Sequence, residues 1–397
     1  MMQELLELSE RAREEAGKYP IRRFAYKQIA SFARERPFLC LLGPRGAGKT
    51  VLLRQLFSSI DDAFYLSLDS LRLDAPLFSI AKELEEKGAK YLFLDEVHFL
   101  KGFEQELKKI YDFLGLKVIF TSSCALSLHS GAHDLSRRVR IMQIPPFSFR
   151  EFIFFEKGAL LPPLAFADLA HTGKCREYYG KALQHEHLFE RHISGGAYPF
   201  ALGNSAPLPL FSNILDTVLQ RDLMFFADIT AEESQEIGRM LKFIGRSQAE
   251  GISYSSLSSN SGITKYRAEK YVSLLEKAFV LNRVFPKGTN VLREPKVLLA
   301  PPYRLLYREY PDCIGSLRED FFVESMRSGG FECYYLKTKK GEKTPDYLVN
   351  KFIIEIGGKG KGRAQFKGIS ARNKIILTQP GMLDEERRPL FFAGMLY

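Results

Sequence analysis

The chain has 397 residues, 45% of them hydrophobic and 26% charged, with a formal net charge of +10. That balance fits roughly two to four globular domains of about 100–200 residues each and excludes a low-complexity or fibrous chain. The positive excess suits a nucleic-acid or other polyanionic partner, with a face of solvated lysines as the plain alternative.

Residues 1–35 are predicted as helix, from apolar positions that recur on one face. The amphipathic start lacks the basic and apolar regions of a signal peptide. No run reaches the roughly 18 apolar residues of a membrane span, so no membrane association is expected. After Pro37, the run Phe38–Leu42 leads into a glycine-rich turn, the pattern of a buried parallel strand. Gly43-Pro44-Arg45-Gly46-Ala47-Gly48-Lys49-Thr50 follows and matches G-x-x-x-x-G-K-[ST], a Walker A P-loop. Its glycines let backbone N–H groups turn toward phosphates, Lys49 reaches the β- and γ-phosphates, and the Thr50 hydroxyl ligates magnesium. The expected nucleotide-binding set is therefore Gly43, Pro44, Arg45, Gly46, Ala47, Gly48, Lys49, Thr50 and Val51, with ATP and Mg2+ as cofactors. A helix over Thr50–Leu56 continues the pattern.

Tyr91-Leu92-Phe93-Leu94 reads as a second buried strand, ending in Asp95-Glu96. Asp95 is expected to hold magnesium through water, and Glu96 to orient the attacking water, which distinguishes an ATPase from a mere binder. Val118–Thr121 reads as a third strand, ending in Thr121-Ser122-Ser123. Ser122 is the candidate for contact with the γ-phosphate or the water; a hydroxyl-rich turn capping the next helix is the alternative. In the run Asp134-Leu135-Ser136-Arg137-Arg138-Val139-Arg140, Arg138 is the candidate for neutralising transition-state charge, in its own subunit or in a neighbour's. Alternating strands and helices predict an α/β parallel sheet. The five cysteines, Cys40, Cys124, Cys175, Cys313 and Cys333, lack metal-ligand spacing, which suggests reduced thiols in a cytoplasmic protein.

The order GPRGAGKT, YLFLDEVH, VIFTSS, LSRRVR and Pro146-Phe147-Ser148-Phe149-Arg150-Glu151-Phe152 resembles bacterial and archaeal AAA-type ATPases that carry a C-terminal domain of unknown function. Gly195-Gly196-Ala197-Tyr198-Pro199 and Arg221-Asp222-Leu223 resemble further signatures of that family. The resemblance implies ATP hydrolysis and says little of a substrate.

Past Pro145-Pro146 the pattern changes, and residues 150–235 read as helices and loops. Residues 241–286 read as three helices and a short strand pair, a winged helix with Thr264–Lys277 as second helix of the helix-turn-helix pair and Thr264, Lys265, Tyr266 and Lys270 near its exposed end. DNA binding and packing between domains or subunits are equally open for it. From Val297 onward the pattern is α+β: a helix near Glu319–Ser328, then strands at Phe331–Lys337, Tyr347–Val349, Phe352–Ile356 and Lys374–Thr378. Glu324, Asp346 and Glu355 are spaced as in restriction-endonuclease-like folds, where a lysine stands two residues past the last acid. Gly357 occupies that place here, with Lys359 and Lys361 further on, so a fold without cleavage is expected. The run Lys359–Arg363, with Lys367, offers a grip on a phosphate backbone or a solvated loop.

The expected layout is an AAA-like P-loop ATPase domain at 1–160, a helical segment at 161–236, a winged helix at 237–290 and an endonuclease-like domain at 291–397. The leading function is an ATP-driven switch acting on nucleic acid or a partner protein, with oligomers allowed. The competitors are an ATP-regulated DNA nuclease, which Gly357 opposes, and a nucleotide-binding interaction protein with negligible turnover, which Glu96 opposes.

Overall fold

Short, continuously apolar runs can only be satisfied between two layers of helix, and the chain uses them so in its N-terminal part. A computed structural model describes residues 2–70, 73–123, 125, 135, 137–248, 252–288, 294–336, 345–360, 362, 366 and 373–397. The chain divides into two compact units, Met1–Pro146 and Phe147–Tyr397.

In the first unit, strands β1 (Phe38–Leu42), β2 (Ala63–Ser67), β3 (Tyr91–Asp95), β4 (Lys117–Ser122) and β5 (Val139–Gln143) form one sheet in the order β2-β3-β4-β1-β5. All four pairings are parallel. Helices α1 (Met2–Ala16), α2 (Tyr26–Phe32), α3 (Lys49–Phe57), α4 (Leu77–Glu86) and α5 (Phe103–Phe113) complete it. Leu39, Leu41, Phe93 and Ile119 share one face of the sheet and pack with Ile29, Leu52, Leu53, Leu56 and Phe57. Their period of two sends Cys40, Leu92 and Phe120 to the opposite face.

The three expected strands are present, and two more accompany them. β2 and β5 are the edge strands, and β5 has the half-exposed sequence Val-Arg-Ile-Met-Gln rather than an apolar run. The expected single helix over 1–35 is two helices, because Gly17 and Pro20 interrupt it.

The second unit opens with helices, among them Phe149–Lys157 and Thr172–Ala182. A Cβ on Gly196 would stand 3.0 Å from the Phe152 ring, so the Gly195-Gly196 signature serves close packing there. Helices Ala231–Arg246, Tyr254–Ser261 and Lys265–Lys277 precede an antiparallel hairpin of β6 (Leu281–Val284) and β7 (Lys296–Leu299). Beyond them, helix Tyr310–Ser328 lays Leu317, Phe321, Phe322 and Met326 into a core shared with a mixed sheet. That sheet runs β12-β11-β10-β9-β8: β8 (Cys333–Tyr335), β9 (Tyr347–Val349), β10 (Phe352–Gly357), β11 (Asn373–Thr378) and β12 (Arg387–Pro389). No helix among the described residues is long and apolar enough to cross a membrane.

Among the described residues of this unit one ion pair is wholly buried. Arg304 and Asp320 are each 0% exposed and form a salt bridge, and Arg304 Nη1 also donates to the carbonyls of Ile244 and Ser247 at 3.1 Å. The guanidinium thereby fastens the end of helix Ala231–Arg246 to helix Tyr310–Ser328. Removing one partner strands the other charge in the interior, so Asp320→Ala is expected to cost about 3–5 kcal/mol, read as a lower urea midpoint at unchanged slope. Replacing both, as Arg304→Met with Asp320→Leu, is expected to cost less than the single change.

Candidate functional site

The loop between β1 and α3 occupies the carboxyl edge of the sheet, where β1 lies between β4 and β5 and the strand order reverses. In an open parallel sheet that is the place where ligands bind. Gly43 is forced by space, because a Cβ there would run into the carbonyl of Ile144. Gly46 and Gly48 take φ of 80° and 85°, which glycine adopts without penalty. Gly48 is the N-cap of α3, so the first N–H groups of that helix face the loop. The buried Arg23 braces the loop from outside, Nη1 donating to Ala47 O at 2.7 Å and Pro145 O at 2.9 Å. The Arg45 guanidinium stands 5.7 Å from the Phe99 ring centroid.

Lys49 points back into the loop. Its Nζ donates to Gly43 O at 2.9 Å, Pro44 O at 3.0 Å and Ser123 Oγ at 2.8 Å. Burial lowers its pKa, against the upward pull of Glu96 and Asp95. Asp95 accepts from three hydroxyls: Thr121 at 2.6 Å, Tyr65 at 2.7 Å and Thr50 at 3.2 Å. Burial raises the Asp95 pKa, which those hydrogen bonds oppose and the Glu96 charge reinforces. Glu96 has φ 51°, a left-handed conformation unusual for a residue with a Cβ. Its N–H donates to Thr121 Oγ1 at 2.8 Å, and its carboxylate accepts from Ser123 Oγ at 2.8 and 3.0 Å. The Ser123 hydroxyl therefore receives from Lys49 and gives to Glu96. Thr50 and Asp95 bring oxygen donors together beside the loop, the ligand chemistry that magnesium takes through waters.

Residues 35–153 match a family of AAA domains (AAA_14). With the five-stranded parallel sheet and its P-loop, the match decides the fold. This part of the chain is an AAA domain. Residues 186–300 match a domain of unknown function (DUF8612). An uncharacterised protein of Methanocaldococcus jannaschii is 25% identical over 376 residues, covering 84% of this chain and 78% of that one. Remoter likenesses include the Orc1 protein of Aeropyrum pernix in complex with DNA, with 11% identity, 76% of this chain, 93% of that chain and a TM-score of 0.32. The RuvB Holliday junction branch migration motor of Thermotoga maritima follows, with 15% identity, 69% and 89% coverage and a TM-score of 0.28.

Within the AAA domain the structure brings Lys49, Thr50, Asp95 and Glu96 together and leaves Arg138 apart. Arg138 precedes β5 and its carbonyl accepts from Phe38 N at 2.8 Å, which puts it at the amino edge of the sheet. A five-residue strand, about 16 Å at 3.3 Å per residue, separates that edge from the P-loop, so Arg138 does not serve the site of its own subunit. Its guanidinium instead pairs with Asp112, at 2.9 and 3.0 Å, near the Tyr111 ring. Asp134 and Ser136 of the same run lie outside the described residues. At the end of β4 the side chain that bridges Lys49 and Glu96 belongs to Ser123; Ser122 faces His98, 3.5 Å from Nδ1. Tyr65, Thr121, His98 and Arg23 were not singled out from sequence, and only the Thr-Ser-Ser run and the His in Asp-Glu-Val-His gave any sign of them.

In the second unit, helix Lys265–Lys277 holds fewer open charges than its sequence suggests. Arg267 pairs with Glu236 at 2.6 Å, Lys270 with Glu233 at 2.9 Å, and Lys265 with Glu294. Thr264 is the N-cap, and Tyr266 is 77% exposed. Of the basic run in the tail, Lys361, Arg363 and Lys367 lie outside the described residues, as do Lys337, Thr344 and Cys124. Gly357 ends β10, as the sequence numbering requires, and no lysine of that strand follows Glu355.

The acid cluster of the tail has a different third member from the expected one. Asp346 and Glu355 influence each other, and Glu319, not Glu324, is the helix acid beside them. Five residues turn a helix through about 140°, so Glu324 points elsewhere, accepting from Asn282 Nδ2 at 2.8 Å. Glu319 accepts from Tyr347 OH at 2.7 Å and pairs with Lys296 of β7. Among the described residues no three His, Cys, Asp or Glu side chains are grouped to hold a metal ion. Burial first, then Glu319 and Glu355, push the Asp346 pKa up to about 7. The folded state then binds this proton more tightly than the unfolded one, and stability falls as pH rises from the ordinary carboxylate range through about 7. Urea unfolding is expected to show a less stable protein at pH 8 than at pH 5, and Asp346→Asn is expected to flatten that difference.

Proposed function

We propose that the AAA domain binds ATP with magnesium and hydrolyses it, and that the chain is a nucleotide-driven switch acting on a partner protein or nucleic acid. The reading is carried by one observation: Lys49, Asp95, Glu96 and Ser123, from three separate segments, meet in one hydrogen-bonded group at the mouth of the P-loop. The backbone N–H groups of Gly46 to Thr50 would cradle the phosphates, and Lys49 would exchange its loop carbonyls for β- and γ-phosphate oxygens. Thr50 and Asp95 would hold magnesium, which supplies charge neutralisation when bound. Glu96 would orient the water that attacks the γ-phosphate.

We read the three helices and hairpin of the second unit as a winged helix and the mixed sheet as an endonuclease-like layer without cleavage. The absent lysine at Gly357 supports the second reading. The internal ion pairs of Lys265, Arg267 and Lys270 favour a protein partner over duplex DNA at that helix. Arg138, at the far edge of its own sheet, would reach a nucleotide only in a neighbouring copy.

Two substitutions test the ATPase. Lys49→Ala is expected to abolish tight binding of ATP–magnesium, because the phosphates lose their main cation. Glu96→Gln is expected to retain nucleotide binding and lower phosphate release about 100-fold or more. Equal phosphate release by wild type and Glu96→Gln sinks the assignment.

A further inference from the structure

Water activation needs the Glu96 carboxylate in one place, and a left-handed backbone at Glu96 does not by itself fix the side chain. Two anchors do. Ser123 donates to both carboxylate oxygens, but the same hydroxyl accepts from Lys49. A phosphate that draws Lys49 away therefore alters this anchor at the moment Glu96 is needed. The second anchor is His98, whose Nδ1 lies 3.1 Å from Glu96 Oε2. His98 is 0% exposed and belongs to the single helical turn Val97–Phe99 that follows Glu96. Its ring leans on Phe99, with centroids 4.4 Å apart, and is held in place by the fold rather than by the lysine.

We propose that His98 is a positioning residue for hydrolysis: Nδ1–H donates to Glu96 Oε2 and keeps the carboxylate aimed while Ser123 exchanges partners. The inference rests on the reading of Glu96 as the residue that orients water. Loss of the donor releases the carboxylate to other rotamers, and an error of about 1 Å in such a group is costly to the chemical step. Ground-state binding of the nucleotide is untouched, because His98 acts on Glu96 and not on the phosphates.

The experiment compares His98→Leu, which fills the space without a donor, with His98→Asn, whose amide N–H falls where Nδ1–H stood. Phosphate release and ATP affinity are measured on the full chain, with thermal unfolding to establish that each variant is folded. His98→Leu is expected to lower kcat about 10- to 100-fold, with KM and ATP affinity held within about twofold, and His98→Asn to recover most of the loss. A wild-type kcat in His98→Leu, or equal losses in Leu and Asn variants, overturns the positioning role. Should the Leu variant fail to fold, His98→Gln, which carries its amide toward the Nε2 end, takes its place under the same criteria. A wild-type rate no higher than that of Glu96→Gln overturns the ATPase reading itself and the role of His98 with it, and that result is separate because it involves no change at His98.

Discussion

A lysine ammonium sealed beneath a backbone loop must find acceptors for all its N–H bonds, and the candidate site is arranged around that need. Lys49 takes two from the loop carbonyls of Gly43 and Pro44 and the third from Ser123. The first two hold the loop closed on its own strand-to-helix turn. The third makes the lysine part of the same hydrogen-bonded chain as Glu96. Burial weakens the hold of Lys49 on its proton, and the nearby carboxylates counter that. The cation and the two acids thus depend on each other.

Hydroxyls line the buried carboxylate of Asp95. Thr50, Tyr65 and Thr121 all donate to Asp95, and Thr121 also accepts the N–H of Glu96. A carboxylate that accepts several hydrogen bonds resists the upward pressure of burial on its pKa. Burial still raises the pKa of Asp95, and it raises that of Asp346 in the second unit as well. At Asp346 the N–H of Ile356 donates at 2.8 Å, the charges of Glu319 and Glu355 add to burial, and the pKa rises to about 7. The two differ in their neighbours: hydroxyl donors and Glu96 surround Asp95 at the end of β3, while the acids Glu319 and Glu355 act on Asp346, just before β9.

Neighbours also decide how much of the basic excess of the chain is open. A net charge of +10 invites a phosphate-binding reading, yet Lys265, Arg267 and Lys270 of helix Lys265–Lys277 are matched by Glu294, Glu236 and Glu233. Composition counts these lysines and arginines as available; packing has already used them.

The sequence by itself determined the P-loop, the apolar strands before it and before Asp95-Glu96, and the helix-helix-strand order of 254–284, but not the hairpin's second strand, which is Lys296–Leu299 rather than a segment before Pro286. Each of these rests on neighbours in the chain: glycines in one turn, an apolar run, a period of 3.6 residues. The edge strand β5 escaped because Val-Arg-Ile-Met-Gln has no continuous apolar run to display, whereas β2 carries the run Ala63-Phe64-Tyr65-Leu66 and was legible in principle. Only the tertiary structure decided that Ser123 rather than Ser122 bridges Lys49 and Glu96, since that depends on which way the chain turns as it leaves β4. Only it placed Tyr65 on Asp95, His98 on Glu96 and Glu319 beside Asp346. Arg138 is the sharpest case, because a parallel sheet sends the start of β5 to the edge opposite the end of β1, and no spacing in the sequence records which edge a residue will occupy.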